Sequence, residues 1–201
     1  MAVTSIFSER RGLWAFVLGV VAVTAGVLLH IPMFLMGRDT GFRLYGMPMG
    51  ADMYWGMALI VGGIAIACYG LLPRNISQQL AASQEIVVSP PEDAPLSAAH
   101  WRVMSVLVIA LVIDVMKPAS LGFTLPGMKN EYMFGQATAS FLPLFALTGT
   151  VVGSIVWGVI ADIYGRKAPI LLSAVFFVGT SICGAMPSFA WNLGMCFMMG
   201  A

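Results

Sequence analysis

The chain of 201 residues is 59% hydrophobic and only 9% charged, whereas charged residues make up about a quarter of an ordinary soluble domain. Its ten Lys and Arg offset nine Asp and Glu to a net charge of +1, which leaves no strongly basic face for the phosphates of a nucleic acid. This composition argues against a soluble domain and against nucleic-acid binding. It predicts an all-α, polytopic bundle of helices that span a lipid bilayer.

The first two predicted spans lie before residue 73. The 26 residues between Arg11 and Arg38 carry no charge, and about 20 suffice for a helix to cross the hydrocarbon core. They predict a first span over 13–36. After a short polar, glycine-rich loop, a second uncharged stretch predicts a span over 53–72. We expect residues 1–72 to form a two-helix membrane extension.

Residues 73–100 are polar and rich in proline, serine and glutamine, a composition typical of a linker. Beyond this expected cytoplasmic linker, apolar stretches predict spans over about 102–125, 136–161 and from 168 to a Met-Pro-Ser break. The last eleven residues amount to about half a crossing. We therefore expect the natural protein to continue beyond them.

Positive charges are distributed unequally between alternate loops. With the amino terminus in the cytoplasm, six fall in inside loops and three in outside loops. The inside residues are Arg10, Arg11, Arg74, Arg102, Arg166 and Lys167, and the outside residues are Arg38, Arg43 and Lys129. Because Lys and Arg are enriched on the cytoplasmic side, we expect a multi-pass protein of the bacterial inner-membrane type with a cytoplasmic amino terminus.

The most specific motif follows the fourth span and reads Gly158-Val-Ile-Ala-Asp162-Ile-Tyr-Gly165-Arg166-Lys167. Gly158 removes a side chain near the helix end, so another helix can approach, and Gly165 allows a backbone conformation that other residues resist. Asp162 lies at the carboxyl end of its helix, where the macrodipole disfavours an anion. It therefore needs a partner, for which Arg166 and the amino terminus of another helix are the candidates.

This motif resembles the loop between the second and third helices of the major facilitator superfamily, Gly-x-x-x-Asp-Arg/Lys-x-Gly-Arg-Arg/Lys. Gly149 and Gly153 are similar to small residues of the family's second helix, and residues 193–200 to the start of its fourth. The resemblance covers residues 101–201. It implies that the chain contains helices 1–3 and the start of helix 4 of the family's amino-terminal half. We expect this partial half to be preceded by two extra helices and to be truncated, so that the carboxyl-terminal half is missing.

The resemblance also implies a role for the loop motif. In the family, the charged loop residues form a cytoplasmic latch between the two halves that stabilises the outward-facing state. The matching residues here are Gly158, Asp162, Gly165, Arg166 and Lys167. The alternative is that they only determine topology and form surface ion pairs, which contribute about 0–1 kcal/mol.

Two residues depart from the family pattern. Ile163 stands where the family usually has a basic residue, and Cys196 stands where many proton-coupled members have an intramembrane arginine. The chain is therefore more similar to the sugar-porter and metabolite:proton symporter branches than to drug antiporters.

Two charged residues, Asp114 and Lys117, fall inside the third span. Such charges are costly and usually face each other or a water-filled cavity. Three residues apart, they share a helix face and could form a structural pair. Alternatively, Asp114 exchanges a proton while Lys117 binds an anionic group of the solute. Residues that favour a kinked or broken helix follow, namely Pro118, Gly122, Pro126 and Gly127.

The sequence contains no pattern of a metal, cofactor or catalytic site. Cys68, Cys183 and Cys196 lie in apolar runs without metal-ligand spacing, and His30 and His100 are isolated from each other and from carboxylate clusters. The fifteen methionines are more typical of flexible apolar packing than of a metal path. We expect unpaired buried thiols, no metal, no cofactor and no enzymatic activity.

These observations predict secondary active transport of a small metabolite across the cytoplasmic membrane, coupled to protons and operating by alternating access. The expected partners are the lipid bilayer, the solute and protons. Two alternatives remain open. One is a non-transporting membrane sensor or assembly protein built on a transporter-derived bundle, and the other is an inactive truncated fragment.

Overall fold

The computed structural model describes residues 10–72, 96–182 and 186–201, except the side chains of Lys117 and Pro118. These described residues form eight α-helices and two short 3-10 segments, and they contain no β-strand. The helices are α1 (Arg10–Leu28), α2 (Ile31–Met36), α3 (Ala51–Leu71), α4 (Ala98–Tyr132), α5 (Gln136–Ala139), α6 (Phe141–Tyr164), α7 (Lys167–Gly179) and α8 (Phe189–Gly200). The predicted all-α fold class is confirmed.

Four helical segments are long and apolar enough to cross a membrane, namely Arg10–Thr40, Ala51–Leu71, Ala98–Tyr132 and Gln136–Tyr164. A fifth apolar segment, Lys167–Ile182, is shorter. In each long segment, at most 28% of the most apolar 18-residue stretch is buried. Most of the apolar side chains therefore face outward, where lipid can solvate them and water cannot. The chain is thus a multi-pass membrane protein, as predicted.

Helices α1 and α3 pack as an antiparallel hairpin along a seam of glycines. A Cβ atom built on Gly19 would lie 2.6 Å from the Gly63 carbonyl oxygen, and one built on Gly26 would lie 2.6 Å from the Gly56 carbonyl oxygen. A side chain at either position would force the helices apart. The glycines therefore permit a close backbone approach, which is the main source of helix association in lipid.

The hairpin also packs against α7. Val23 of α1, Ala67 and Leu71 of α3, and Leu172 and Val175 of α7 form one buried cluster. Partly buried side chains from the end of α6 pack against the same cluster. The two leading helices are therefore in direct contact with the part of the chain that resembles a transporter.

The other helices meet in a second buried cluster. Leu121 and Met128 of α4 contact Leu142 and Ala146 of α6 and Cys196 of α8. The preceding part of α4, Ala98–Met116, is exposed throughout. Among the described residues, helix α4 therefore packs on the other helices through its second half.

The first and third predicted spans are found, and local chemistry determines where their helices begin and end. The first span is interrupted, because α1 ends at Leu28 and α2 restarts with Pro32 in its first turn. Proline lacks the N–H that would continue the helical hydrogen-bond ladder. Helix α4 begins at Ala98, four residues before the predicted Arg102, because the Ser97 and His100 side chains form a capping box.

Of the predicted kink or break in the third span, the break is wrong, since α4 runs continuously to Tyr132, and the kink stays a prediction. Proline and glycine disfavour a helix, but a break in hydrocarbon would leave backbone groups unsatisfied at several kcal/mol each. The predicted break after the fifth span is confirmed, because Pro187 and Ser188 are non-helical and α8 begins at Phe189. Of the predicted linker, residues 73–95 lie outside the described residues.

Candidate functional site

The predicted loop motif occupies the turn between α6 and α7. Helix α6 ends at Tyr164, Gly165 follows with φ +83° and ψ 155°, and α7 begins at Lys167 after Arg166 as its N-cap. The backbone of Gly165 thus has a conformation that residues with a Cβ atom rarely adopt. This sharp change of direction positions the charged residues on either side of it.

One side of this turn is buried and the other is exposed. Ala168 and Pro169, at the start of α7, are buried beside the hairpin. The side chains of Asp162, Arg166 and Lys167 are exposed. The turn is therefore held by apolar packing, which leaves its charged side chains available to another element.

Gly158 lies in open surroundings. Within the described ranges, nothing comes within 4 Å of a Cβ atom built at this position. The close helix approach predicted for Gly158 is therefore not made by any described residue, in contrast to Gly149 and Gly153. A Cβ atom on either of those two residues would collide with the backbone of α8 or the residue after it, at Phe197 and Ala201 respectively.

Asp114 lies on the exposed part of α4. The Lys117 side chain is not among the described side chains, so the predicted Asp114–Lys117 pair stays a prediction. The structure places Asp114 where a further helix or a solute could reach it. It does not bring Asp114 into contact with the loop motif.

A polar contact that sequence reasoning missed joins α4 to the loop between α2 and α3. One carboxylate oxygen of Glu131, Oε1, accepts hydrogen bonds from the backbone N–H groups of Leu44 at 2.6 Å and Tyr45 at 3.1 Å. An anion in the last turn of α4 is disfavoured by the helix dipole, and two amide donors offset that cost. The only sequence signal was a lone carboxylate near a predicted helix end.

The next residue, Tyr132, is buried and ties α4 to the segment before α8. Its hydroxyl donates to the Met186 carbonyl oxygen at 2.5 Å, and the buried Asn192 amide nitrogen lies 3.4 Å from the same hydroxyl. Phe134 stacks on the Tyr132 ring, and Phe189 meets its edge. The sequence did not predict this contact, because the chain position of a tyrosine does not identify its hydroxyl's partner.

The described residues offer no acidic or thiolate metal centre. Among residues 10–72, 96–182 and 186–201, no group of three or more His, Cys, Asp and Glu side chains could hold a metal ion. Cys68 and Cys196 form no disulfide with another described residue, and Cys196 is buried whereas Cys68 is only partly so. Cys183 lies outside the described residues.

The fold is that of a multi-pass α-helical membrane protein. Comparisons with known proteins narrow this class to particular relatives. The 4-hydroxybenzoate transporter PcaK of Pseudomonas putida is 31% identical over 91 residues, 45% of this chain and 20% of that protein. The benzoate transport protein of Acinetobacter baylyi is 28% identical over 109 residues, 51% of this chain and 23% of that protein. The synaptic vesicle glycoprotein 2A of Rattus norvegicus is 32% identical over 74 residues, which are 37% of this chain and 10% of that protein.

These relatives confirm the resemblance to the major facilitator superfamily over about half of the chain. The chain spans about a fifth of the length of the bacterial transporters that it matches. No protein-family model matches it, and no solved structure does so either. The bacterial relatives are transport proteins, which supports the prediction that this protein is not an enzyme.

Proposed function

We propose that this chain belongs to a secondary active transporter for a small aromatic carboxylate. The observation that carries the proposal is the similarity to transporters of 4-hydroxybenzoate and benzoate, on a chain with four membrane-spanning segments. The transport is coupled to protons and proceeds by alternating access in the bacterial inner membrane. The amino terminus is cytoplasmic, as the distribution of Lys and Arg favours.

The charged pair on α4 gives this proposal a chemical basis. Benzoates are anions at neutral pH, and an ammonium group within the membrane attracts a carboxylate strongly because little water screens it. Lys117 would bind the solute carboxylate, and Asp114 would carry the proton. The exposure of Asp114 supports this assignment, because no described side chain covers it.

The loop motif supplies the cytoplasmic latch in this proposal. Asp162, Arg166 and Lys167 are exposed on a turn whose backbone is fixed by Gly165 and by the buried start of α7. Charged hydrogen bonds from this turn to the carboxyl-terminal half of the transporter would stabilise the outward-facing state.

Uptake of radiolabelled benzoate and 4-hydroxybenzoate tests the proposal, in cells that express the protein from its intact gene. We expect uptake above that of cells without the gene, competition between the two solutes, and loss of uptake when a protonophore removes the proton gradient. Acetate is the control competitor, because it has the carboxylate without the ring. Correctly inserted protein without uptake of either aromatic solute would contradict the proposal.

A non-transporting membrane protein is the second candidate. It is favoured by the similarity to synaptic vesicle glycoprotein 2A, whose name specifies no transported solute. Binding of benzoate without uptake into sealed vesicles would favour this second candidate over transport.

A further inference from the structure

His30 is a buried histidine with one ring nitrogen left over. The residue is 5% exposed, and its Nδ1 atom lies 2.7 Å from the Gly26 carbonyl oxygen. A carbonyl oxygen can only accept, so Nδ1 carries the hydrogen, and Nε2 of the neutral ring then presents a lone pair. Within the described ranges, Nε2 is the buried side-chain nitrogen or oxygen atom that lacks a hydrogen-bond partner.

Thioether side chains are concentrated in one buried region of the described chain. A third buried cluster, here called the methionine cluster, joins α2, α3 and the segment before α8. Its buried members are Met33, Met53, Ile60, Ile182 and Met186, and Met47, Met49 and Met195 pack against it. Six methionines therefore meet in a single region of the molecule.

The imidazole ring of His30 contacts α3 at Gly56, about one helical turn from two members of the methionine cluster, Met53 and Ile60. A Cβ atom built on Gly56 would lie 2.5 Å from His30 Cε1, so the ring touches the α3 backbone at that glycine. Gly56 lies between Met53 and Ile60 on the buried face of α3. Met33 follows His30 by one helical turn on the other side of the contact.

A neutral imidazole nitrogen and thioether sulfurs are the ligands that a soft monovalent cation prefers, whereas Mg²⁺ and Ca²⁺ require oxygen ligands. A histidine that binds metal usually donates its other ring N–H to a backbone carbonyl or carboxylate, which fixes its tautomer and orientation. His30 has this arrangement toward Gly26. A buried polar group without a partner costs about 1–3 kcal/mol, and a bound cation would remove that cost.

We propose that His30 Nε2 and the sulfur atoms of Met33, Met53 and Met186 form a binding site for a soft monovalent cation, Cu(I) or its analogue Ag(I). The site lies outside both the loop motif and the charged pair on α4. It therefore does not depend on the proposed transport function.

Methyl NMR of the 201-residue chain in detergent micelles, labelled with methyl-13C methionine and titrated with Ag(I), tests the site. We expect saturable shifts, complete at one Ag(I) per chain, in the signals of Met33, Met53 and Met186. Each signal is assigned by its loss in a Met→Leu variant, which conserves volume and removes the sulfur. Met104, which is exposed on α4, supplies the control signal and is expected not to shift.

Three variants separate this site from other silver ligands. His30→Asn keeps a donor for the Gly26 carbonyl but removes Nε2, and we expect it to weaken Ag(I) binding by about tenfold or more. Met53→Leu should weaken binding similarly if His30→Asn does not fold. Cys68→Ala removes a thiol that also binds silver and should leave the three methyl shifts intact. Absence of these shifts, equal shifts at Met104, or unchanged affinity in both ligand variants would overturn the proposal.

Discussion

Glu131 and Tyr132 are neighbours in sequence, yet they bind two different parts of the chain. Glu131 accepts hydrogen bonds from the loop that precedes α3, whereas the Tyr132 hydroxyl donates to the segment that precedes α8. The edge of the Tyr45 ring also meets the Tyr132 ring, with centroids 5.2 Å apart. Two adjacent residues at the end of α4 thus hold the extra hairpin and α8 in place.

The Tyr132 hydroxyl is expected to contribute measurably to stability. Tyr132→Phe keeps the ring contacts but leaves the buried Met186 carbonyl without this donor, which should cost about 1–3 kcal/mol. Thermal unfolding in detergent would show a lower midpoint. Tyr54→Phe is the matched control, because Tyr54 is exposed; equal midpoints for both variants would contradict this assignment.

Asp162 is expected to matter for transport and not for insertion. Asp162→Asn should lower benzoate uptake by about tenfold or more, because a hydrogen bond between charged groups contributes about 1.5–3 kcal/mol. The amount of protein in the membrane should stay the same. Asp39→Asn, in the loop near α2, is the matched control, and undiminished uptake by Asp162→Asn would exclude the latch.

Asp114 is expected to determine the pH dependence of uptake. An asparagine cannot exchange a proton, so Asp114→Asn should abolish the increase in uptake that an acidic exterior produces. Initial uptake rates across a series of external pH values measure this effect. Asp52→Asn, at the start of α3, should retain the wild-type profile. A wild-type profile in Asp114→Asn would rule out Asp114 as the proton site.

At the scale of the helix, neighbouring glycines of α3 have opposite surroundings. A Cβ atom on Gly63 would lie 2.8 Å from the Gly19 carbonyl oxygen, whereas one on Gly62 would meet nothing within 4 Å. The two positions differ by one residue, so they share backbone conformation and depth along the helix. They therefore isolate the contribution of the α1–α3 contact.

Gly63→Leu should destabilise the hairpin, and Gly62→Leu should not. Overpacking of a close contact costs about 1–3 kcal/mol, while a leucine in open surroundings gains helix propensity over glycine. Unfolding midpoints of the two variants in detergent measure the difference. A Gly62→Leu variant as unstable as Gly63→Leu would show that the glycine seam is not the reason for the effect.

The sequence could predict which segments form helices better than where the helices end. Apolar runs long enough to cross the bilayer core leave few alternatives to a helix, so the four spanning segments were predictable. Helix ends depend on local chemistry that hydropathy does not contain. Pro32 interrupts the first span and the Ser97–His100 capping box lengthens α4.

At the scale of the whole molecule, the partners of each helix could not be predicted from the sequence. In lipid, an apolar helix face is as well solvated by acyl chains as by another helix, so the hydrophobic pattern does not select a partner. The contact between α7 and the leading hairpin is therefore known only from the fold. The hydrogen bond between Glu131 and Leu44, which lie 87 residues apart, is likewise known only from the fold.

The candidate sites were predictable to different degrees. The loop motif was recognisable because its charges and glycines have a fixed spacing, and the fold shows Gly165 at a positive φ. His30 is isolated in sequence from His100 and from carboxylates, and its ring meets Gly56 only when α1 and α3 pack. Side chains that meet only after helices pack leave no pattern along the chain.

The contact between the hairpin and α7 has a consequence for the surrounding bilayer. Helix α7 has 13 residues and extends about 20 Å, shorter than the hydrocarbon core of about 30 Å. Lipids that border such a short helix would have to thin. Helix α3, with 21 residues, matches the core thickness, and it lies with α1 against α7. The hairpin thus covers one face of this short helix, and on that face longer helices meet the lipid in place of α7.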